Sequence, residues 1–328
     1  MTAANAADSL PLAEWIKAQA YALGFDLAGI ARTGPADTRE HFDAWLAAGY
    51  DGEMHYLARN AEKRRDSRLP FPRARSAIVV AMDYGGRQPP GPVARYARGD
   101  DYHDVMTAKL RELHRSLETY LGCAVPGKVY VDTGPLLERD LARRAGLGWF
   151  GKNTNLLNPK LGSYFFIGSL LLDMDLEPDE PFAEDHCGTC TRCLDECPTN
   201  AFLGPRVLDA TRCISYLTIE LRDDIPEDMH ESIGERLYGC DVCQEVCPWN
   251  VKFARELPDM SPFAPRAAVA GRDAAALAQA MIDTDDEQFR FAFKGSPMKR
   301  ARLDGLRRNA AIVLRNVSRE SQPGSEGQ

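Results

Sequence analysis

The 328-residue sequence predicts a multidomain protein that combines α/β and α+β architecture. Three observations support this: helix and strand patterns alternate in the first half, ligand-spaced cysteines follow them, and an alanine- and charge-rich region comes last. We expect an α/β domain at 1–175, a cysteine-rich domain at 176–260, a helical domain at 261–316 and a disordered tail at 317–328. A chain of this length can bury the cores of two or three domains.

The first region alternates helices and strands. Apolar residues at helical spacing predict helices at 12–23 and 105–121, and buried β-branched runs predict strands at 76–82 and 163–172. Shorter patterns predict a strand at 26–31, a helix from Pro35 to about Gly49, a strand at 128–131 and a helix that stops at Gly146. Asp132 follows the strand at 128–131, where it either caps the next helix or offers its carboxyl for chemistry. The acidic, proline-rich stretch 175–186 is predicted to be a linker.

Composition and charge narrow the possible partners and location. A net charge of −8 argues against indiscriminate binding of nucleic acid, but seven basic residues between Arg290 and Arg308 form either a phosphate-binding patch or a solvated face. The amino terminus shows no secretory signal, and the apolar run 164–172 is too short to cross a bilayer. We therefore expect a cytoplasmic protein, in which clustered cysteines more often bind metal than form disulfides.

Eight of the nine cysteines have the spacing of iron–sulfur ligands. A C-x2-C-x2-C-x3-C-P run, typical of bacterial two-cluster ferredoxins, lies at Cys187, Cys190, Cys193 and Cys197. A second run lacks its first member, which Cys213 can supply, and continues at Cys240, Cys243 and Cys247. In such proteins the last cysteine of each run binds the other cluster. This rule predicts one 4Fe–4S cluster on Cys187, Cys190, Cys193 and Cys247, and another on Cys197, Cys213, Cys240 and Cys243.

Simpler interpretations exist for the eight spaced cysteines and for the ninth, Cys123. A pair of zinc sites would also use C-x2-C spacing, but tetrahedral zinc does not need the longer run. Cys123 follows a leucine-rich helix and is expected to be a packed apolar residue. Because clusters only transfer electrons, the long region before them is expected to hold the catalytic domain.

Several long motifs resemble one enzyme family. They are VDTGPLLERDLARRAGLGWFGKNTNLL at 131–157, GSYFFIGSLLLD, CGTCTRCLDECPTNAF, RCISYLTIE, LYGCDVCQEVCPWN, and RYARGDDYHDVM at 95–106. Together they resemble the cobalamin-dependent epoxyqueuosine reductases from about residue 10 to 316. The resemblance implies a nitroreductase-like cobalamin-binding domain, a ferredoxin-like two-cluster domain and a short HEAT-like helical domain.

The resemblance also implies a reaction. Enzymes of this family remove the epoxide oxygen of epoxyqueuosine at the wobble position of tRNA, which yields queuosine and consumes two electrons and two protons. The expected cofactors are cobalamin and two 4Fe–4S clusters. The expected partners are tRNA carrying epoxyqueuosine and an external low-potential electron donor; we expect a monomer with no membrane attachment. The alternatives are a reductive dehalogenase, which shares the cofactors, and a ferredoxin-like electron carrier without catalysis.

The resemblance assigns roles to individual residues. Asp132 is the expected proton donor, with a pKa raised by its pocket, and Asp101 is a second carboxylate near it. His103 is expected to be structural, because Met106 replaces the glycine of the Asp-x-His-x-x-Gly cobalamin signature. Expected cofactor-binding residues are Arg64, Asp132, Lys152, Asn153, Leu156, Ile167, Ser215, Cys240, Asp241 and Val242. Expected tRNA contacts are Arg139, Arg222, Lys299, Arg300, Arg307 and Arg308.

Overall fold

The computed structural model describes residues 10–258 and 260–320. Its helices are α1 (Leu12–Ala22), α2 (Arg39–Ala47), α3 (His55–Arg59), α4 (Ala61–Arg65), α5 (Tyr102–Leu121), α6 (Glu138–Arg144), α7 (Arg192–Asp195), α8 (Ile214–Ile219), α9 (His230–Ile233), α10 (Val242–Glu245), α11 (Pro248–Phe253), α12 (Ala274–Asp283), α13 (Asp286–Ala292) and α14 (Arg302–Glu320). Its strands are β1 (Leu27–Arg32), β2 (Ser76–Asp83), β3 (Gly127–Tyr130), β4 (Trp149–Phe150), β5 (Leu156–Leu157), β6 (Phe165–Leu172), β7 (Phe202–Gly204) and β8 (Val207–Leu208). Within these ranges, no helix combines the length and apolar character that crossing a membrane would need.

A four-stranded antiparallel sheet, in the order β1-β2-β6-β3, forms the centre of the first domain. Alternate residues of a strand point to opposite faces, and both faces of β2 are buried. Ile78 and Val80 join a core with α1 and α5, whereas Ala77 and Val79 join a second core with α6. The sheet is therefore covered by helices on both sides, which explains why its central strands are apolar throughout.

The predicted elements agree with the structure except near the helix starts. α5 begins at Tyr102, three residues before the predicted start, because the Asp101 carboxylate accepts the His103 backbone N–H and caps the helix. The interpretation of Asp132 as a helix cap is wrong. Its φ of 56° is left-handed, an irregular loop follows, and α6 starts only at Glu138. The short helices α3 and α4 carry too little periodicity to have been predicted.

The segment 175–186 contains no helix or strand, but it is fixed to the sheet domain. The Asp179 backbone N–H donates to the Ile30 carbonyl (2.9 Å), and the Asp179 carboxylate accepts from the Ile30 N–H and from Lys17. Further along, the Phe182 N–H donates to the Arg143 carbonyl. The predicted linker is therefore an extended strap that leads from the sheet to the first cysteine.

The carboxy-terminal helices share a hydrophobic core with the rest of the protein. Buried residues of α12, α13 and α14 pack with Val93, Ala97 and Tyr238, which lie in earlier parts of the chain. The Asp273 side chain caps the start of α12, and a capping box at Asp285 begins α13. α14 continues to Glu320, so the predicted tail does not begin at 317; residues 321–328 lie outside the described part of the chain.

Candidate active site

The cysteines predicted to bind iron–sulfur clusters separate into two cavities. A smaller cavity of about 200 Å³ is lined by Cys187, Cys190, Cys193 and Cys247, the first predicted set. A larger cavity of about 390 Å³ is lined by Cys197, Cys213, Cys240 and Cys243, the second predicted set. A one-turn helix lies within each cysteine run: α7 in the run 187–197 and α10 in the run 240–247. Each run therefore contributes cysteines to both cavities. Cys123 is exposed, contrary to the expectation that it packs in a core.

The described residues contain no group of three or more His, Cys, Asp or Glu side chains arranged around a single metal ion. Four zinc ligands would all have to lie about 2.0–2.3 Å from one point. Each cysteine set instead surrounds a cavity, as the binding of a larger group would require. Burial, with a smaller contribution from nearby cysteines, raises the pKa of Cys193 to about 11 and of Cys240 to about 12. Bound iron would reverse this shift, because metals bind the thiolate.

The larger cavity brings one cysteine set and the predicted proton donor into the same space. Asp132, Tyr102 and Glu138 line this cavity, and so do the four cysteines of the second set. Apolar and aromatic side chains complete much of the lining, among them Phe165, Phe166, Ile167 and Leu156. A group bound by these cysteines and the carboxyl of Asp132 would therefore meet in the same cavity.

Asp132 is the end of a chain of three ionisable side chains. The His103 imidazole lies between two carboxylates, with Nδ1 2.6 Å from Asp101 Oδ1 and Nε2 3.3 Å from Asp132 Oδ2. Burial lowers the pKa of His103, but the bonds to Asp101 and Asp132 outweigh it and raise the pKa to about 9. The imidazole is therefore charged at neutral pH and can donate from both nitrogens.

The expectation of a raised pKa at Asp132 is wrong for this structure. Burial in the cavity wall would raise it, but the bond and positive charge of His103, together with Tyr102, hold the pKa of Asp132 below its usual range. The side chain of Asp132 is 61% exposed, so burial opposes its ionisation only weakly and the charge of His103 prevails. Asp132 is therefore ionised at neutral pH, and the charged imidazole of His103 is the neighbouring group that holds a proton.

The raised carboxyl pKa belongs to Glu138, which the sequence did not single out. Burial and the nearby charge of Asp132 raise the pKa of Glu138 to about 8. Glu138 Oε1 accepts the backbone N–H of Asp132 at 2.8 Å and so holds the loop that carries Asp132. Asp132 and Glu138 are thus neighbouring carboxyls of the cavity lining with pKa values shifted in opposite directions.

Most predicted cofactor-binding residues line the larger cavity. These are Asp132, Asn153, Leu156, Ile167, Ser215, Cys240, Asp241 and Val242. Arg64 does not line it, but Arg64 is buried and its Nη1 lacks a hydrogen-bond partner within the described chain. Lys152 lines the smaller cavity, where its ammonium donates to the carbonyls of Gly188 (2.7 Å) and Cys190 (2.9 Å). Lys152 is thus placed beside the first cysteine set.

The residues predicted to contact tRNA differ in whether their cationic groups are already bonded within the protein. Arg139 lines the larger cavity, and Lys299 is exposed. The charge of Lys299 helps to lower the pKa of Asp101, although its effect is smaller than that of His103. Arg300 pairs with Glu220 (2.7 Å) and lies over the Tyr56 ring. Three others direct donors to backbone carbonyls inside the protein: Arg222, Arg307 and Arg308.

Sequence reasoning missed His103, Tyr102 and Glu138 as site residues. His103 was set aside because it does not fit a cobalt-ligand signature, yet its position two residues after the cap Asp101 brings both ends of its ring to carboxylates. Glu138 lies six residues after Asp132 and could have been noticed as the acidic start of the next helix. Which carboxyl keeps its proton depends on neighbours that only the fold brings together.

This combination of an antiparallel sheet domain, two cysteine-lined cavities and an acid–base chain defines a two-cluster iron–sulfur oxidoreductase. In agreement, residues 186–250 match the 4Fe-4S double cluster binding domain, and residues 64–133 match the family described as Epoxyqueuosine reductase QueG, DUF1730. An epoxyqueuosine reductase of Pseudomonas aeruginosa is 41% identical over 324 residues, which cover 94% of this chain and 87% of that protein. The chain belongs to the epoxyqueuosine reductase family.

Solved structures of the family have the same fold. A structure described as epoxyqueuosine reductase with a tRNA-Tyr epoxyqueuosine-modified stem loop is 32% identical, with a TM-score of 0.81, and the match covers 92% of this chain and 80% of that one. A Bacillus subtilis epoxyqueuosine reductase, described with its catalytic aspartate loop swung out of the active site, is 31% identical with a TM-score of 0.81 and coverages of 92% and 81%. Because these matches span nearly the whole chain, we set aside the dehalogenase and electron-carrier alternatives.

Proposed function

We propose that this protein reduces the epoxide of epoxyqueuosine in tRNA to the alkene of queuosine. The observation that carries the proposal is the larger cavity, which is lined both by a cysteine set for a 4Fe–4S cluster and by Asp132, the last member of the Asp101–His103–Asp132 chain. Relatives of the same family are named for this activity, and one was solved with an epoxyqueuosine-modified stem loop. The reaction needs electrons and protons at one place, and this cavity is lined by groups for both.

We propose two cofactor types. The cluster ligands are the two cysteine sets that line the two cavities, and bound clusters would supply single electrons. Cobalamin is proposed for the larger cavity: the apolar side chains of Leu156 and Ile167 suit the face of a macrocycle, and Asn153 and Ser215 suit its amide rim. The unpartnered Arg64 Nη1 is a donor that a polar ligand group would satisfy. When bound, cobalamin would supply a cobalt able to deliver electrons to the epoxide carbon.

The protein's own residues manage the protons in this proposal. Breaking a C–O bond of the epoxide leaves negative charge on oxygen, which needs a proton as it forms. His103 holds a proton between two carboxylates and passes it to Asp132, whose loop is fixed by the Glu138 bond to its backbone N–H. Asp101 keeps the imidazole oriented through its 2.6 Å contact with Nδ1. Asp132 then transfers the proton to the oxygen.

We propose that the tRNA approaches over the rim formed by Arg139, Lys299 and Arg300. An anticodon loop is single-stranded, so moving its modified base into a cavity costs less unstacking energy than opening a duplex. Arg222, Arg307 and Arg308 are proposed to shape this surface from below rather than to contact phosphates. A cytoplasmic location, where tRNA is found and thiols stay reduced, follows from the proposed substrate and cofactors.

The finer domain assignments are also proposals. We assign residues 1–175 to a nitroreductase-like domain, 176–260 to a ferredoxin-like domain and 261–316 to a HEAT-like helical domain. Support comes from the helix-covered sheet, the double cluster match and the packing of α12 on α14. We propose a monomer that receives electrons from an external low-potential donor.

The test is anaerobic reconstitution of the full chain with iron, sulfide and cobalamin, followed by incubation with reductant and tRNA that carries epoxyqueuosine. Mass analysis of the nucleosides should show conversion to queuosine, with loss of one oxygen atom. A reconstituted protein with full iron and cobalamin that leaves epoxyqueuosine unchanged would contradict the proposal.

A further inference from the structure

Glu138 occupies a position that the proposed mechanism only partly uses. It is the first residue of α6, and its side chain lines the larger cavity beside Asp132. Oε1 accepts the Asp132 backbone N–H at 2.8 Å, whereas Oε2 has no hydrogen-bond partner among the residues that the structure describes. One oxygen therefore holds the loop, and the other oxygen of this cavity-lining side chain is not engaged by any described residue.

The surroundings of Glu138 favour its neutral, protonated form. Burial and the Asp132 carboxylate raise its pKa to about 8; the Asp132 N–H, Arg139 and His103 act in the opposite direction but do not outweigh them. The other charged group close enough to interact is Arg64, itself buried. Below pH 8, the Glu138 carboxyl keeps a proton while Asp132 is ionised.

The proposed reaction consumes more protons than the Asp101–His103–Asp132 chain holds. Converting an epoxide to an alkene breaks both C–O bonds, takes up two electrons and two protons, and releases the oxygen as water. The electrons come from the one-electron donor that feeds the clusters. The first proton converts the oxygen to a hydroxyl as the ring opens, and the second is needed when that hydroxyl leaves as water. His103 stores only one of them.

We propose that Glu138 supplies the second proton, transferring it from its carboxyl to the hydroxyl that departs as water. The inference rests on the proposed function. It gives the two acid groups of the cavity separate tasks: Asp132 acts when the ring opens, and Glu138 acts when the second C–O bond breaks. Glu138 is regenerated by a proton from solvent after the product leaves.

Glu138→Gln separates proton supply from loop position. The glutamine carbonyl can accept the Asp132 N–H as Glu138 does, but the amide has no acidic proton. Glu138→Ala removes both properties. The control is Asp140→Asn on the same helix: Asp140 is buried, accepts the Thr38 N–H and also has a raised pKa, but it does not line the cavity. Each variant is reconstituted as the full chain, with iron content and cobalamin absorbance measured.

The readout is the single-turnover rate of queuosine formation as a function of pH. In the wild type this rate should fall as pH rises through about 8, where Glu138 loses its proton. Glu138→Gln should be slower by about 10²-fold or more at neutral pH and should bind both cofactors normally. It should lose the fall near pH 8 and keep only the fall near pH 9, where His103 loses its proton. Asp140→Asn should keep the wild-type profile.

Two results would overturn the inference. The first is a wild-type rate and pH profile in Glu138→Gln; loss of rate in Glu138→Ala alone would then leave Glu138 only a positioning role. The second is a rate loss in Glu138→Gln that is no larger than its loss of cobalamin or iron, because the carboxyl would then serve cofactor binding and not proton supply. An inactive wild type would instead contradict the proposed function.

Discussion

Replacing Asp132 with asparagine removes its acid chemistry while preserving its position. Asparagine has the same size and, unlike most residues, tolerates the left-handed conformation that Asp132 adopts at φ 56°. The side chain is 61% exposed, and the Glu138 bond that fixes the loop reaches the backbone N–H, which the substitution keeps. We therefore expect the free energy of unfolding to change by less than about 1 kcal/mol.

The expected loss is in turnover. Removing a positioned acid costs about 10²–10⁴-fold in rate, which corresponds to about 3–5 kcal/mol at the barrier. The amide also removes one of the two negative partners of His103, so the pKa of His103 should fall from about 9 toward its usual value. The proton on His103 would then have no carboxylate at position 132 to carry it to the substrate oxygen.

The assay compares single-turnover queuosine formation by wild type and Asp132→Asn after identical reconstitution. Iron content, cobalamin absorbance and thermal unfolding are measured on the same samples. The reasoning predicts equal cofactor content and a rate lower by at least about 10²-fold. A rate within a few-fold of the wild type, with normal cofactors, would refute the assignment of Asp132 as the proton donor.

Three further predictions follow from particular contacts. Cys247→Ser and Cys213→Ser should each lose one cluster and keep the other, halving the iron content and leaving distinct electron paramagnetic resonance signals; loss of the same signal in both would contradict the two sets. Gly29→Ala should destabilise the fold by about 1–3 kcal/mol in chemical unfolding, because a Cβ there would lie 2.1 Å from a backbone carbonyl oxygen of the neighbouring segment. Lys299→Gln should weaken tRNA binding and reduce its salt dependence without changing the melting temperature, whereas Arg308→Gln should lower the melting temperature, because Arg308 ties α14 to the Leu217 carbonyl; equal melting temperatures for both would contradict this distinction.

Local chemistry explains which parts of the fold were predictable. The strands at 76–82 and 163–172 are apolar on both faces, and that pattern is visible without a structure because helices cover both sides of the sheet. Their antiparallel order was not predictable, because strand order depends on contacts between distant segments. The strap at 175–186 was taken for a linker, since its composition gives no sign of the bonds made by Asp179.

The site divides in a similar way. Cysteine spacing predicted the two sets that line the two cavities, because a tight loop determines which thiols can face the same group. Asp132 came from the family resemblance, but its charge state was mispredicted. The pKa of a carboxyl depends on which groups the fold brings to it, and here His103 lies 29 residues before Asp132. The position of Glu138 at the start of α6 could be read from the sequence, but its raised pKa depends on burial beside Asp132.

The most direct test of the account is the electron stoichiometry of the reaction. The reconstituted protein is given a measured amount of a reduced one-electron donor and an excess of epoxyqueuosine-containing tRNA, and the queuosine formed is quantified. We expect two electrons to be consumed for each queuosine formed. Queuosine formed without consumption of donor, or at an undiminished rate by a protein that lacks Cys213 and Cys247, would contradict it.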